Sequence, residues 1–121
     1  MKLSIGSLIA RKELIERIIN KDFPSKISFK FKLFAKEIAK FFDLYEEERV
    51  KLVEKYGEEK DGQIIVEQNS TNWKVFVSEL NEVANQEVEI ELLDLIENDL
   101  IETGVNISAR DLLDLEIFFK K

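Results

Sequence analysis

Between Ser25 and Phe42 the apolar positions fit two periods at once. Ile27, Phe29, Phe31 and Leu33 alternate with polar residues as in a strand, and the positions after them are spaced as in a helix. Continuing to Gly57 decides between the two. Ile27, Phe31, Phe34, Ile38, Phe41, Tyr45, Leu52 and Tyr56 recur in steps of three, four or seven, a heptad-like seam broken only at Glu48–Arg49. At 100° per residue these side chains fall within about 80° of one another. Lys26, Lys30, Lys32, Lys36 and Lys40 fall on the opposite side. The pattern therefore predicts one helix from Lys26 to Tyr56, about 45 Å long, with Gly57 just past its end. A seam position such as Phe41 is expected in the core, where truncation to Ala costs about 3–5 kcal/mol.

Phe29 and Leu33, one turn apart, project on the lysine side of this helix, and so does Leu44. The first reading of that spot is a packing site for the preceding helix. The alternative is a partner contact rimmed by Lys30 and its neighbours. Base stacking by Phe29 is a third physical option, disfavoured by the net acidity of the chain.

Elsewhere the pattern gives shorter elements. Leu8, Ile9, Leu14, Ile15, Ile18 and Ile19 predict a first helix over Ser7–Asn20, capped by Ser4 or Ser7 and closed before Pro24. After Gly57, Asp61-Gly62 is a turn signal and Ile64–Val66 a short strand. Asn69, Ser70 or Asn72 caps a helix carrying Trp73, Phe76, Val77, Leu80 and Val83 on one face. Trp73, the single tryptophan, is expected in core or inter-helix packing, with a binding hot spot as the alternative. Val88, Ile90 and Leu92 alternate with Glu87, Glu89 and Glu91, which predicts a half-buried strand with an acidic face. A short turn or helix near Leu93–Asn98, extended chain near Leu100–Glu102 and a turn at Thr103-Gly104 follow. Ser108 and Asp111 form a variant capping box before a last helix, Ala109 to Phe119, with Leu112, Leu115 and Phe119 on its apolar stripe. The fold class is α+β and helix-dominated. A long central helix stands in an antiparallel helical hairpin, beside a small two- or three-stranded β element. The 121 residues form a single domain.

Composition narrows the chemistry. With no cysteine and no histidine, thiol nucleophiles, disulfides and the commonest general base and transition-metal ligand are excluded. No P-loop, dinucleotide fingerprint or nucleophile elbow is present. The glutamates of Glu46–Glu48 read as a solvated face, with Glu47 and Lys51 an i,i+4 pair. The acids Glu82, Glu87, Glu89, Glu91, Asp94, Glu97, Asp99 and Glu102 lack calcium-loop spacing. The expectation is a non-enzyme without cofactor or metal. No apolar run reaches the roughly 18–20 residues of a membrane span, so no membrane role is expected, and the chain reads as soluble and intracellular.

Charge is unevenly placed. Residues 1–57 carry 13 Lys+Arg and 9 Asp+Glu, and residues 58–121 carry 5 and 16, within a net charge of −7. Two halves that attract each other are the first reading. An acidic face meeting a basic partner is the second, with Glu87, Glu89 and Glu91 at its centre. Direct nucleic-acid binding is not expected of a net acidic chain. Two function classes remain: a protein-binding assembly module using helix faces, and an acidic inhibitor that mimics DNA.

Pro24 before the long helix, "YEEERVKLVEKYG" (Tyr45–Gly57), the helix-to-strand join at Glu79–Glu91 and the "ISARDLLDLEIF" tail (Ile107–Phe118) together resemble a family of small uncharacterised phage and prophage proteins from siphophages of low-GC Gram-positive bacteria. The resemblance spans nearly the whole chain and departs from the pattern by an extra stretch near Leu95–Gly104. It implies phage origin, a location in the host cytoplasm or the virion, and a phage or host protein as partner. It carries over no catalytic residue. It favours a virion or assembly-related accessory protein, with an anti-defence inhibitor of a host nucleic-acid-binding enzyme as the alternative. The long helix, apolar on two faces, also points to a homo-oligomer or complex.

Overall fold

The structure, a computed structural model, describes residues 1–120. Its spine is one helix, Ser25–Tyr56 (α3 once β1, Lys2–Ser4, α1, Ile5–Ala10, and α2, Lys12–Ile19, are counted). The heptad reading of the opening stretch therefore holds over the strand reading. Pro24 supplies the N-terminal boundary, and its carbonyl accepts from the N–H groups of Ile27 and Ser28.

The expected first helix is two. Arg11, at φ −101° and ψ 4°, interrupts the helical path between α1 and α2. Ser4 Oγ accepts the Ser7 N–H at 3.1 Å and caps α1. The bend serves packing. α1 touches both α3 and the later helix α4 (Thr71–Ala84), and α2 lies along α3. Leu8, Leu14, Ile15 and Ile18 are buried against Phe31, Phe34 and Ile38. The first helix thus covers the seam and leaves Phe29 and Leu33 uncovered, contrary to the first expectation for that spot.

Past Gly57, β2 (Glu58–Lys60) and β3 (Gln63–Ile65) form an antiparallel hairpin. Asp61 and Gly62 turn it with φ of 52° and 80°, both in the left-handed region that two-residue hairpins use. Ser70 then caps α4, its Oγ accepting the Trp73 N–H at 3.2 Å. Asn72 Nδ2 donates to the Tyr56 carbonyl, and Lys55 approaches Glu79 at 3.8 Å. The first turns of α4 therefore lie beside the last turns of α3, the antiparallel helical hairpin expected.

The acidic strand is shorter than its pattern: β4 spans Glu87–Glu89 and pairs antiparallel with β1, Val88 opposite Leu3. The two β elements are separate two-stranded sheets. Beyond β4 the chain runs irregularly to Ile96 and forms α5 (Glu97–Glu102), where extended chain was expected at Leu100–Glu102. Asp99 decides this locally. Its carboxylate reaches back to accept the Ile96 N–H at 2.9 Å and caps the new helix, while Leu100 is buried in the core.

The last helix, α6 (Ala109–Leu115), ends in a 3-10 turn over Glu116–Phe118. Ser108 Oγ caps it by accepting the Asp111 N–H at 3.1 Å. The Asp111 carboxylate does not complete the box. It accepts from Arg17 Nη2 on α2 at 2.9 Å, and it is the one buried charged residue among the described residues. Phe118 lies edge-on to Phe34, ring centres 5.2 Å apart, and Phe23 stacks on Phe31 at 5.3 Å. The main core thus sits around the N-terminal half of α3, and Phe41 is only half-buried at its margin.

Candidate functional site

Phe29 and Leu33 are 58% and 54% exposed on α3, high values for large apolar side chains one helical turn apart. The segment after β4 runs along one flank of them. Two polar contacts tether it to the helix. Glu37 Oε1 accepts the Glu91 N–H at 3.2 Å, and Lys30 Nζ donates to the Asp94 carbonyl at 2.9 Å. Between these tethers lies a groove of about 470 Å³ with Phe34 and Leu93 at its base and Leu92, 37% exposed, on the wall facing Phe29.

The rim is polar and largely occupied. Asp94 receives Lys120 at 3.3 Å and Lys30 at 3.5 Å. The hydrogen bond from Lys120 and the charges of both lysines hold its carboxyl below the ordinary aspartate range. Lys30 thus acts as a tether as well as a rim charge. Glu91 is exposed at the groove edge.

The sequence-based candidates divide three ways. Phe29, Lys30, Leu33 and Glu91 come together at the groove. Glu87 and Glu89 are exposed on β4 just before it, and the amino group of Met1 lies 2.8 Å from Glu89 Oε1, which lowers the Glu89 pKa. Trp73 lies elsewhere. It is half-buried against Phe76, ring centres 5.6 Å apart, near the Tyr56 end of α3. That end is about 35 Å along the helix from Leu33.

Three groove residues escaped the sequence reading. Leu92 has the alternation of a strand interior, but β4 stops at Glu89 and the register is lost. Glu37 and Asp94 carry ordinary charge patterns, and only the tertiary tethers give them a place. Among the described residues no group of three or more Asp or Glu side chains is close enough to hold a metal ion. No helix there is long and apolar enough to cross a membrane. The groove offers apolar contact area and charged edges, the chemistry of recognition.

Comparison with known proteins finds no matching family model, no matching curated protein and no matching solved structure.

Proposed function

We propose that this protein is a non-enzymatic protein-binding module, phage-encoded, that serves virion assembly and engages protein through the Phe29–Leu33 face. The observation that supports it is the groove itself. Three large apolar side chains, Phe29, Leu33 and Leu92, stay in contact with solvent around one depression. Leaving them exposed costs solubility without contributing to the core, and a protein contact gives them a purpose. The phage assignment rests on the sequence resemblance alone.

The test is affinity capture of the tagged chain and its Phe29→Asp variant from phage-infected cells, at low and high salt. Recovery of a portal, tail or capsid protein that survives high salt and disappears with Phe29→Asp is the expected result. Recovery of a host nuclease that is lost as salt rises and unaffected by Phe29→Asp overturns this reading. It would make the exposed carboxylates of Glu87, Glu91 and Glu97 the working surface.

A further inference from the structure

Within residues 26–40 the exposed side of α3 carries one sign of charge. At 100° per residue, an arc of about 120° holds Lys26, Phe29, Lys32, Leu33, Lys36 and Lys40 and no acid. All six side chains are exposed. Among the described residues none of these four lysines has an ion-pair partner within the chain. Lys40 only leans over the ring of Phe41, 5.1 Å from its centre. Lys30, by contrast, is already committed to Asp94. Past Lys40 the face turns mixed. Asp43 and Glu47 are exposed there, and Lys51, expected to pair with Glu47, turns to Glu48 at 3.4 Å.

The four ammonium groups are spread over about 21 Å of helix, in a chain whose net charge is −7. The two sides of the Phe29–Leu33 ridge are unlike. Lys32 and Lys36 lie on one side, and the groove wall on the other carries Glu37, Glu91, Leu92 and Asp94. An occupant that fits brings negative charge to the lysines, apolar groups to Phe29, Leu33 and Leu92, and no continuous negative charge to the far wall. Nucleic acid fails on the last count, since its phosphates follow one another along the whole strand. An anionic bilayer fails on shape, since it is flat and the apolar side chains surround a depression. A polypeptide meets all three conditions, because neighbouring side chains differ in sign and polarity.

We propose that this face receives an acidic amphipathic segment of a partner protein, its carboxylates on Lys26, Lys32, Lys36 and Lys40 and its apolar residues over Phe29, Leu33 and Leu92. The inference rests on the reading of this face as a protein contact and names the chemistry of the occupant. The lysines set orientation and encounter, and the apolar contact holds the complex. Salt therefore weakens the complex and does not abolish it.

The experiment is an amide-shift titration of the full chain by NMR. The probe is a peptide of about 15 residues, long enough to span the lysines as a helix, with Glu on one face and Leu on the other. Its counterpart with Lys for Glu, a duplex oligonucleotide and phosphatidylserine vesicles are titrated in parallel. The acidic peptide is expected to shift the amides of residues 26–40 and 91–94. The double variant Lys36→Glu with Lys40→Glu binds it about tenfold more weakly, through the loss of two exposed ion pairs. Phe29→Asp abolishes binding, and Lys74→Glu on α4 leaves it unchanged. A basic peptide that binds as well, or a double variant that binds like wild type, overturns the proposal. So does tighter binding of the oligonucleotide or the vesicles. Shifts at residues 26–40 that follow the concentration of the chain alone also overturn it, by placing a second copy on the face. The binding-module reading is separable. If the double variant still captures a virion protein and Phe29→Asp does not, that reading survives without an acidic partner. Acidic-peptide binding with no captured virion component keeps the acidic occupant and removes the assembly role.

Discussion

Gly57 ends the long helix with an extended backbone, φ −85° and ψ 163°, so a left-handed turn is not what requires a glycine there. Space is. A Cβ on Gly57 would stand 2.4 Å from the Val53 carbonyl oxygen and 2.7 Å from Ile64 Cγ2. Gly57→Ala is expected to cost about 1–3 kcal/mol by overpacking, measured by urea denaturation; an unchanged midpoint would show that the hairpin moves aside freely. Burial ranks the aromatics in the same assay. Phe118 is fully buried, so Phe118→Ala should cost about 3–5 kcal/mol. Phe41, half-buried at the core margin, should cost about 1–2 kcal/mol, less than its seam position suggested. Equal losses would place Phe41 back in the core. Asp94 supplies a pH dependence. Its carboxyl pKa is lowered in the fold, so its stabilisation is present above the ordinary aspartate range and is lost as pH falls through the folded value. Acid titration followed by NMR should therefore release the Lys120 ammonium from Asp94 below about pH 4, while the backbone tethers of the groove wall persist. Asp94→Asn should remove that step; a titration unaltered by the substitution would assign it to another carboxylate.

At the scale of elements, the long helix is two environments in series. Its buried residues, Phe31, Phe34 and Ile38, all lie in the N-terminal half. Beyond Tyr45 it lies against α4, in which Phe76 alone is buried, and against a hairpin exposed along both strands. Local stability follows buried apolar contact. Amide exchange is therefore expected to be faster through residues 46–80 than through residues 14–42, with the last helix on the slow side. Uniform protection along α3 would contradict this division. The heptad periodicity predicted the helix correctly over its whole length, because periodicity reports which residues share a face. It did not report what covers that face. The break at Arg11 and the β1–β4 pairing depend on contacts between residues up to about ninety positions apart, which no local window contains.

Across the whole molecule the uneven charge has an internal use. Arg17–Asp111, Lys30–Asp94 and Lys55–Glu79 each join a base of the first half to an acid of the second. Arg17 is held charged by its hydrogen bond to Asp111. The exposed pairs contribute little individually, but they orient the C-terminal half along α3. They leave Lys26, Lys32, Lys36 and Lys40 for an outside contact. Phe29→Asp, which would unfold the chain if α1 or α2 covered that spot, is expected to keep the wild-type melting temperature, since Phe29 is already in water. A fall of several degrees would show that this face is part of the core.

The groove divides between sequence and structure in the same way. Phe29, Lys30 and Leu33 were legible as a second apolar spot on a lysine face, because three residues within five positions of one helix have a fixed relation. Trp73, singled out by rarity, belongs to the far end of the hairpin. What the sequence determined was local: helix identity and length, the Asp61-Gly62 turn, the Ser70 and Ser108 caps, and the absence of thiol and imidazole chemistry. These follow from backbone preferences and side-chain inventory within a few residues. Only the tertiary structure decided that the first helix covers the seam and not Phe29, that β4 pairs with β1, and that Glu37 and Lys30 tether residues 91–94 to form a groove. Those outcomes turn on which distant surfaces bury the most apolar area together, a property of the assembled chain and not of any stretch of it.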